Sequence, residues 1–186
     1  MSPGPFALVD RDGTINVEDR DRYVLRAEEF VLLPDALEGL RRLRDLGLPI
    51  AVVTNQSPIA RGWIDSTDLE EVHTTMRDLL SAGGVDLTGV YVCPHGPGDG
   101  CACRKPGTEL LLRAAADLGS EPAEGFLIGD KSSDIEAGRR AGMTTVLVLT
   151  GWGRDTVREG VQADHVVEDL RAAADIVAAL LARTPR

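Results

Sequence analysis

The stretch from Phe6 to Thr14 constrains the chain more than any other. Phe6-Ala7-Leu8-Val9 runs straight into Asp10-Arg11-Asp12-Gly13-Thr14. The apolar run is too short for a helix, and a polar turn containing glycine follows it. It therefore reads as a buried strand that delivers its last side chains to a site. Alternation along extended backbone would send Asp10 and Asp12 to the same side. Two acids so placed repel unless a cation lies between them, and a hard divalent ion such as Mg²⁺ takes carboxylate, carbonyl and water oxygens. A strand closing in an ordinary Asp-Gly turn is the plainer alternative, and this pattern alone leaves it open.

Size and charge narrow the field. With 186 residues, 43% of them hydrophobic, the chain is expected to fold as a single globular domain spanning 1–186. Its formal charge of −10 argues against a nucleic-acid partner or an anionic membrane surface, either of which needs a basic patch. The start, Met1-Ser2-Pro3-Gly4-Pro5, lacks the basic and apolar segments of a signal peptide, and no apolar stretch approaches the ~20 residues of a membrane span. All three cysteines lie between positions 93 and 103, which is not a secreted disulfide framework. A soluble cytoplasmic protein is the expectation, with a monomer as the default state.

Strands and helices alternate along the chain. Ile15 to Phe30 is polar and charged, with Asp19-Arg20-Asp21-Arg22 near its centre, and reads as a loop that covers the site. Pro34 suits the first turn of a helix striped by Leu37, Leu40, Leu43 and Leu46 and stopped by Gly47. Ile50 to Thr54 forms a second strand. Thr67 with Glu70 resembles a capping box for a helix running to about Ala82. A strand over Val90–Cys93, a helix from about Thr108 to Leu118, a strand ending at Asp130, a helix from Asp134 to Ala141, strands over Thr145–Leu149 and near His165–Val167, and an Ala-rich helix complete the pattern. This is an α/β domain with a mostly parallel sheet, whose ligand crevice lies beyond the carboxyl ends of the strands.

Polar residues gather at those ends. Asp10 can attack phosphorus as a carboxylate nucleophile, and Asp12 can protonate the leaving oxygen and then activate water. Thr54 and Asn55 offer a hydroxyl and an amide to phosphoryl oxygens, Lys105 offers a cation, and Asp130 with Asp134 can complete a metal site. These are the demands of phosphoryl transfer. Taken singly, Thr54-Asn55 or Asp134 could be a helix cap and Lys105 a solvated charge; their joint placement at successive strand ends argues otherwise.

Asp10-Arg11-Asp12-Gly13-Thr14, Thr54, Lys105-Pro106 and Gly129-Asp130-Lys131-Ser132-Ser133-Asp134 together resemble the four motifs of the haloacid dehalogenase (HAD) superfamily, in the right order and over the chain up to about Gly153. The resemblance implies a Rossmann-like fold, an aspartyl-phosphate intermediate and Mg²⁺ held by Asp10, the backbone carbonyl of Asp12, and Asp130, with Asp134 behind them. An acid at position 12 resembles the superfamily's phosphatases; its ATPases carry Thr there.

Cys93-Pro94-His95 followed by Cys101-Ala102-Cys103 offers a Cys₃His set, closed and therefore structural for Zn²⁺. Gly96, Pro97, Gly98 and Gly100 let this loop, 93–103, turn back on itself. A disulfide or scattered buried thiols are the alternatives, and a Cys101–Cys103 bridge would be strained. His73 and His165, without partners in sequence, read as packing or surface residues. The loop and the Arg104-Lys105-Pro106 that follows it resemble the superfamily's zinc-bearing phosphatases acting on heptose bisphosphates or on histidinol phosphate. Asn55-Gln56-Ser57-Pro58-Ile59-Ala60-Arg61-Gly62 and Tyr23-Val24 favour the former, although Pro58 replaces an expected Gly and two extra residues sit between Asn16 and Tyr23.

Asp10 to Thr54 spans 44 positions and Thr54 to Lys105 spans 51, leaving no room for a cap domain in either interval. Specificity must come from short loops. Substrate contacts are expected from Asn55, Gln56, Ser57, Arg61, Arg104 and Lys131, with Arg104 favoured for a second phosphate because a guanidinium binds phosphate bidentately. The leading expectation is Mg²⁺-dependent hydrolysis of the C7 phosphate of a heptose 1,7-bisphosphate. Histidinol-phosphate or DNA 3′-phosphate hydrolysis, and a non-catalytic zinc-stabilised binding module, are the rivals.

Overall fold

A computed structural model describes residues 4–19 and 22–183. Arg20 and Asp21 of the charged run fall outside the described residues, as do Met1-Ser2-Pro3 and the last three positions. In chain order the elements are β1 (Phe6–Val9), α1 (Ala36–Asp45), β2 (Ile50–Asn55), α2 (Ser57–Ala60), α3 (Ser66–Ala82), β3 (Gly89–Cys93), α4 (Glu109–Asp117), β4 (Gly125–Gly129), α5 (Ser132–Ala141), β5 (Thr144–Val148), α6 (Gly153–Arg158), β6 (His165–Val167) and α7 (Leu170–Arg183).

The strands form one parallel sheet in the order β3-β2-β1-β4-β5-β6. Successive strands step outward from β1 to β3; the chain then returns to the other side of β1 and steps outward again. The β1–β4 boundary is therefore a switch point, and the crevice opens beyond the carboxyl ends of these two strands. Val9 pairs with Ile128, so Asp10 and Asp130 emerge side by side.

The two-residue period of the strands builds the layers. Ala7, Val9, Ile50, Val52 and Ile128 face a core closed by Leu40, Leu43, Val72, Met76 and Val177 from α1, α3 and α7. Phe6, Leu8, Ala51, Val53 and Leu127 face the opposite core, with Leu111, Ala114, Ala115 and Ala137 from α4 and α5. Helices thus cover both faces, the three-layer Rossmann-like arrangement of the HAD fold. Only loop, a 3₁₀ turn at Ala27–Glu29 and α1 separate β1 from β2, so no cap domain is inserted there. No helix among the described residues is long and apolar enough to cross a membrane.

Two helix starts differ from the sequence-based expectation. The N-cap of α3 is Asp65, which accepts hydrogen bonds from the backbone N–H groups of Thr67 and Asp68, while Asp68 accepts from Asp65 N–H. The capping box is thus Asp65/Asp68 rather than Thr67/Glu70; Asp caps as well as Ser or Thr. Pro34 precedes α1 instead of starting it, because Asp35 adopts a left-handed conformation (φ 62°) between them.

Candidate active site

The alternation expected to bring Asp10 and Asp12 together ends with β1. The chain bends after Asp10, and Ile15 N–H and Asn16 N–H both reach back to Arg11 C=O at 2.8 and 3.1 Å. The two aspartates consequently occupy different surroundings. Asp10, Asp130 and Asp134 lie buried with carboxylate oxygens within 4.8 Å of one another. Asp12 is excluded from that cluster and held by donors: its Oδ1 accepts from Arg11 Nη2 (2.8 Å), Arg11 Nε (3.1 Å) and Asn16 Nδ2 (3.0 Å), and its Oδ2 from Gln56 Nε2 (2.8 Å).

Lys105 sits within the acid cluster. Its Nζ reaches Asp10 Oδ1 at 2.7 Å, Asp134 Oδ1 at 2.6 Å and Val53 C=O at 2.7 Å, which uses all three ammonium protons. Asn55 was expected to bind phosphoryl oxygens. Instead its side-chain Nδ2 donates to Lys105 C=O and its Oδ1 accepts from Lys105 N–H, both at 3.0 Å. This clamp ties the end of β2 to the segment carrying the lysine. Gln56, also expected at the substrate, is wholly buried and bridges Asp12 Oδ2 and Thr54 Oγ1. Residues directly after a strand can turn inward as readily as toward the crevice, and spacing does not distinguish the two.

Asp130 Oδ2 accepts from Trp152 N–H at 2.7 Å, with Thr14 Oγ1 at 3.5 Å from Oδ1. Gly13 is required beside it. With φ at 86°, a Cβ at position 13 would lie 2.2 Å from Asp130 Oδ2. Asp134 is the third residue of α5, and its Oδ2 accepts from Lys131 N–H at 3.0 Å. It therefore serves both the helix start and Lys105.

These surroundings set the protonation equilibria. Burial raises the Asp10 carboxyl despite Lys105 beside it, and burial raises Asp130 well above the usual carboxylate range. For Asp12, burial is outweighed by Arg11, and the value falls to about 2. Asp10, Asp12, Glu18, Asp130 and Asp134 face only Arg11, Lys105 and Lys131 as cations, so the ionised cluster carries a surplus of two negative charges. A hard divalent cation matches that surplus and the all-oxygen donor set, with Asp134 engaged behind the first ring of ligands.

A cleft of about 530 Å³ opens above the cluster, lined by Asp12, Ser57, Arg61, Arg104, Lys105 and Lys131 among others. Arg104 Nη1 donates to Ser57 Oγ (2.9 Å) and His95 C=O (3.0 Å). Lys131 Nζ lies 2.9 Å from Glu18 Oε1 and 3.5 Å from Asp12 C=O. Arg61 stacks over Trp63 and Tyr23, whose rings meet edge to face at 5.6 Å; all three line the cleft. Sequence reasoning missed Glu18, Trp63 and Arg11. Only the alternation of acid and base around Arg11 hinted at its burial.

Beside the cleft, Cys93 Sγ lies 3.2 Å from Cys103 Sγ and 3.7 Å from Cys101 Sγ, and His95 Nδ1 lies 3.2 Å from Cys103 Sγ. These separations are far beyond a disulfide bond. They approach the ~3.8 Å edge of a tetrahedron of sulfurs about 2.3 Å from zinc, so the Cys/His cluster is compatible with that ion.

The fold and this site define a class. The HAD-hydrolase-like family model matches residues 102–173, and full-length relatives extend the match over both halves of the site. The chain belongs to the haloacid dehalogenase-like phosphatases. A D-glycero-beta-D-manno-heptose-1,7-bisphosphate 7-phosphatase from Pseudomonas aeruginosa is 38% identical over 168 residues, covering 90% of this chain and 94% of the relative. Another from Pseudomonas putida is 40% identical over 169 residues, covering 90% and 95%. The crystal structure of D,D-heptose 1,7-bisphosphate phosphatase from B. bronchiseptica, complexed with magnesium and phosphate, superposes with a TM-score of 0.89 at 34% identity, covering 95% of this chain and 99% of that one.

Proposed function

We propose that the chain hydrolyses the C7 phosphate of D-glycero-D-manno-heptose 1,7-bisphosphate through an aspartyl-phosphate on Asp10. The observation that carries the reaction is the unequal treatment of the two aspartates: Asp10 among acids and Lys105, Asp12 held apart by Arg11, Asn16 and Gln56. The substrate follows the printed names of relatives matching nine-tenths of the chain.

In this reading a carboxylate oxygen of Asp10 attacks phosphorus in line with the C7 oxygen. Lys105 offsets charge on Asp10 and the transferring group. Asp12 gives its proton to the leaving alkoxide, then takes one from the water that attacks the aspartyl-phosphate, regenerating both acids. Asp10, Asp12 C=O and Asp130 would hold Mg²⁺. When bound, the ion neutralises phosphoryl oxygens and orients them for displacement. Thr54 fixes Gln56 and hence Asp12. Arg104 and Arg61, at the cleft wall, take the second phosphate, with Ser57 and Lys131 completing the contacts. The Tyr23–Trp63 pair borders the sugar. Cys93, His95, Cys101 and Cys103 hold Zn²⁺, which stiffens the loop leading into Arg104-Lys105. The whole chain works as one catalytic domain.

A turnover panel tests the substrate. Heptose 1,7-bisphosphate is expected to be hydrolysed fastest, only with Mg²⁺, ahead of histidinol phosphate and a 3′-phosphorylated DNA strand. Fast histidinol-phosphate turnover without any on the heptose ester would overturn it. Metal analysis of the purified protein is expected to find one equivalent of zinc, and less than about 0.2 equivalents would argue against the closed Cys₃His site.

A further inference from the structure

Arg11 has the largest side chain buried to within 2% of its surface, and only two of its nitrogens serve Asp12. The third, Nη1, lies 3.1 Å from Nε2 of His73, a residue 62 positions away on α3 and only 2% exposed. A guanidinium offers donors and no acceptor. His73 Nε2 must therefore accept, so the ring is neutral with its proton on Nδ1. Its surroundings agree: burial, then the charge of Arg11, pushes His73 down to about 3. The packing or surface role expected for this histidine does not account for an acceptor aimed at a buried cation.

We infer that His73 is a positioning residue for proton transfer: by accepting from Arg11 Nη1 it fixes the guanidinium plane, and through it the angle at which Asp12 meets the leaving oxygen. The inference rests on Asp12 as the general acid. Without the acceptor, Arg11 keeps a buried donor unsatisfied and must rotate toward another partner. Rotation pulls on both bonds to Asp12 Oδ1, and small misplacements of a proton donor are costly.

The leaving group separates this role from packing. An alkoxide departs only with a proton, whereas p-nitrophenolate departs without one. Single-turnover release from heptose 1,7-bisphosphate and from p-nitrophenyl phosphate should be measured for His73→Leu, His73→Gln and Asp12→Asn. His73→Leu is expected to slow alcohol release about tenfold and p-nitrophenol release less than about threefold, with KM within about twofold for both. His73→Gln, whose amide oxygen reaches the place of Nε2, restores at least half the wild-type rate. Asp12→Asn shows the same asymmetry, larger. Equal losses on both esters for Asp12→Asn would remove the acid itself. Asymmetry there, with equal or no losses in a folded His73→Leu, would overturn the role of His73 alone. If His73→Leu does not fold, His73→Phe fills the space without an acceptor and takes its place.

Discussion

Replacing Asp10 with Asn is expected to lower turnover of the heptose bisphosphate by at least about 10⁴-fold, as removal of a nucleophile does elsewhere. An amide oxygen accepts a hydrogen bond from Lys105 but does not attack phosphorus. The loss should fall on kcat, since Arg61, Arg104, Lys131 and the other acids are untouched. Folding should survive. Asp10 is buried within 4.8 Å of Asp130 and Asp134, and burial already works against its charge. Neutralising it relieves repulsion while keeping the shape, so the melting temperature should hold or rise. Borohydride reduction of enzyme quenched during turnover should trap a modified Asp10 in the wild type and nothing in Asp10→Asn. Full activity in the variant would sink the aspartyl-phosphate route.

The positions of Asp10, Lys105, Asp130 and Asp134 were legible because strand periodicity ends abruptly at each and parallel α/β sheets gather such ends on one edge. The supporting contacts were not. Asn55 and Gln56 follow a buried strand, where composition gives no hint that one clamps Lys105 and the other is wholly buried beneath Asp12. Arg11 reads as a spacer between two acids, and a buried arginine becomes apparent only once His73, 62 residues on, supplies its acceptor. Glu18 pairs with Lys131 across 113 positions, from a loop whose path has no sequence rule. Cap positions failed for a local reason: Asp65, Thr67 and Glu70 all suit a helix start, and only backbone geometry chooses among them. Apolar periodicity thus specified the scaffold, while long-range polar pairing specified the orientation of the groups it carries.

Lys105→Met should combine catalytic failure with loss of stability, and the two can be separated by Mg²⁺. The ammonium is 3% exposed and contacts Asp10, Asp134 and Val53 C=O. Methionine keeps the length and apolar stem but leaves two buried carboxylates without their cation. Removing one partner of a buried pair costs about 3–5 kcal/mol, which for a chain of this size lowers the melting temperature by about 10 °C. Turnover should fall at least about 10³-fold, because charge on the nucleophile and phosphoryl group is no longer offset. The variant's cluster is one unit more negative, so a divalent cation binds the folded state more favourably. Added Mg²⁺ should therefore raise the melting temperature of Lys105→Met more than that of the wild type while restoring little turnover. A variant that melts with the wild type and gains nothing from Mg²⁺ would show that Lys105 does not compensate Asp10 and Asp134. The ion and the lysine divide one task by geometry: Lys105 is bonded to Asp10 Oδ1 and Asp134 Oδ1 on one side, while Asp130, tied to Trp152 N–H, offers its carboxylate from the other.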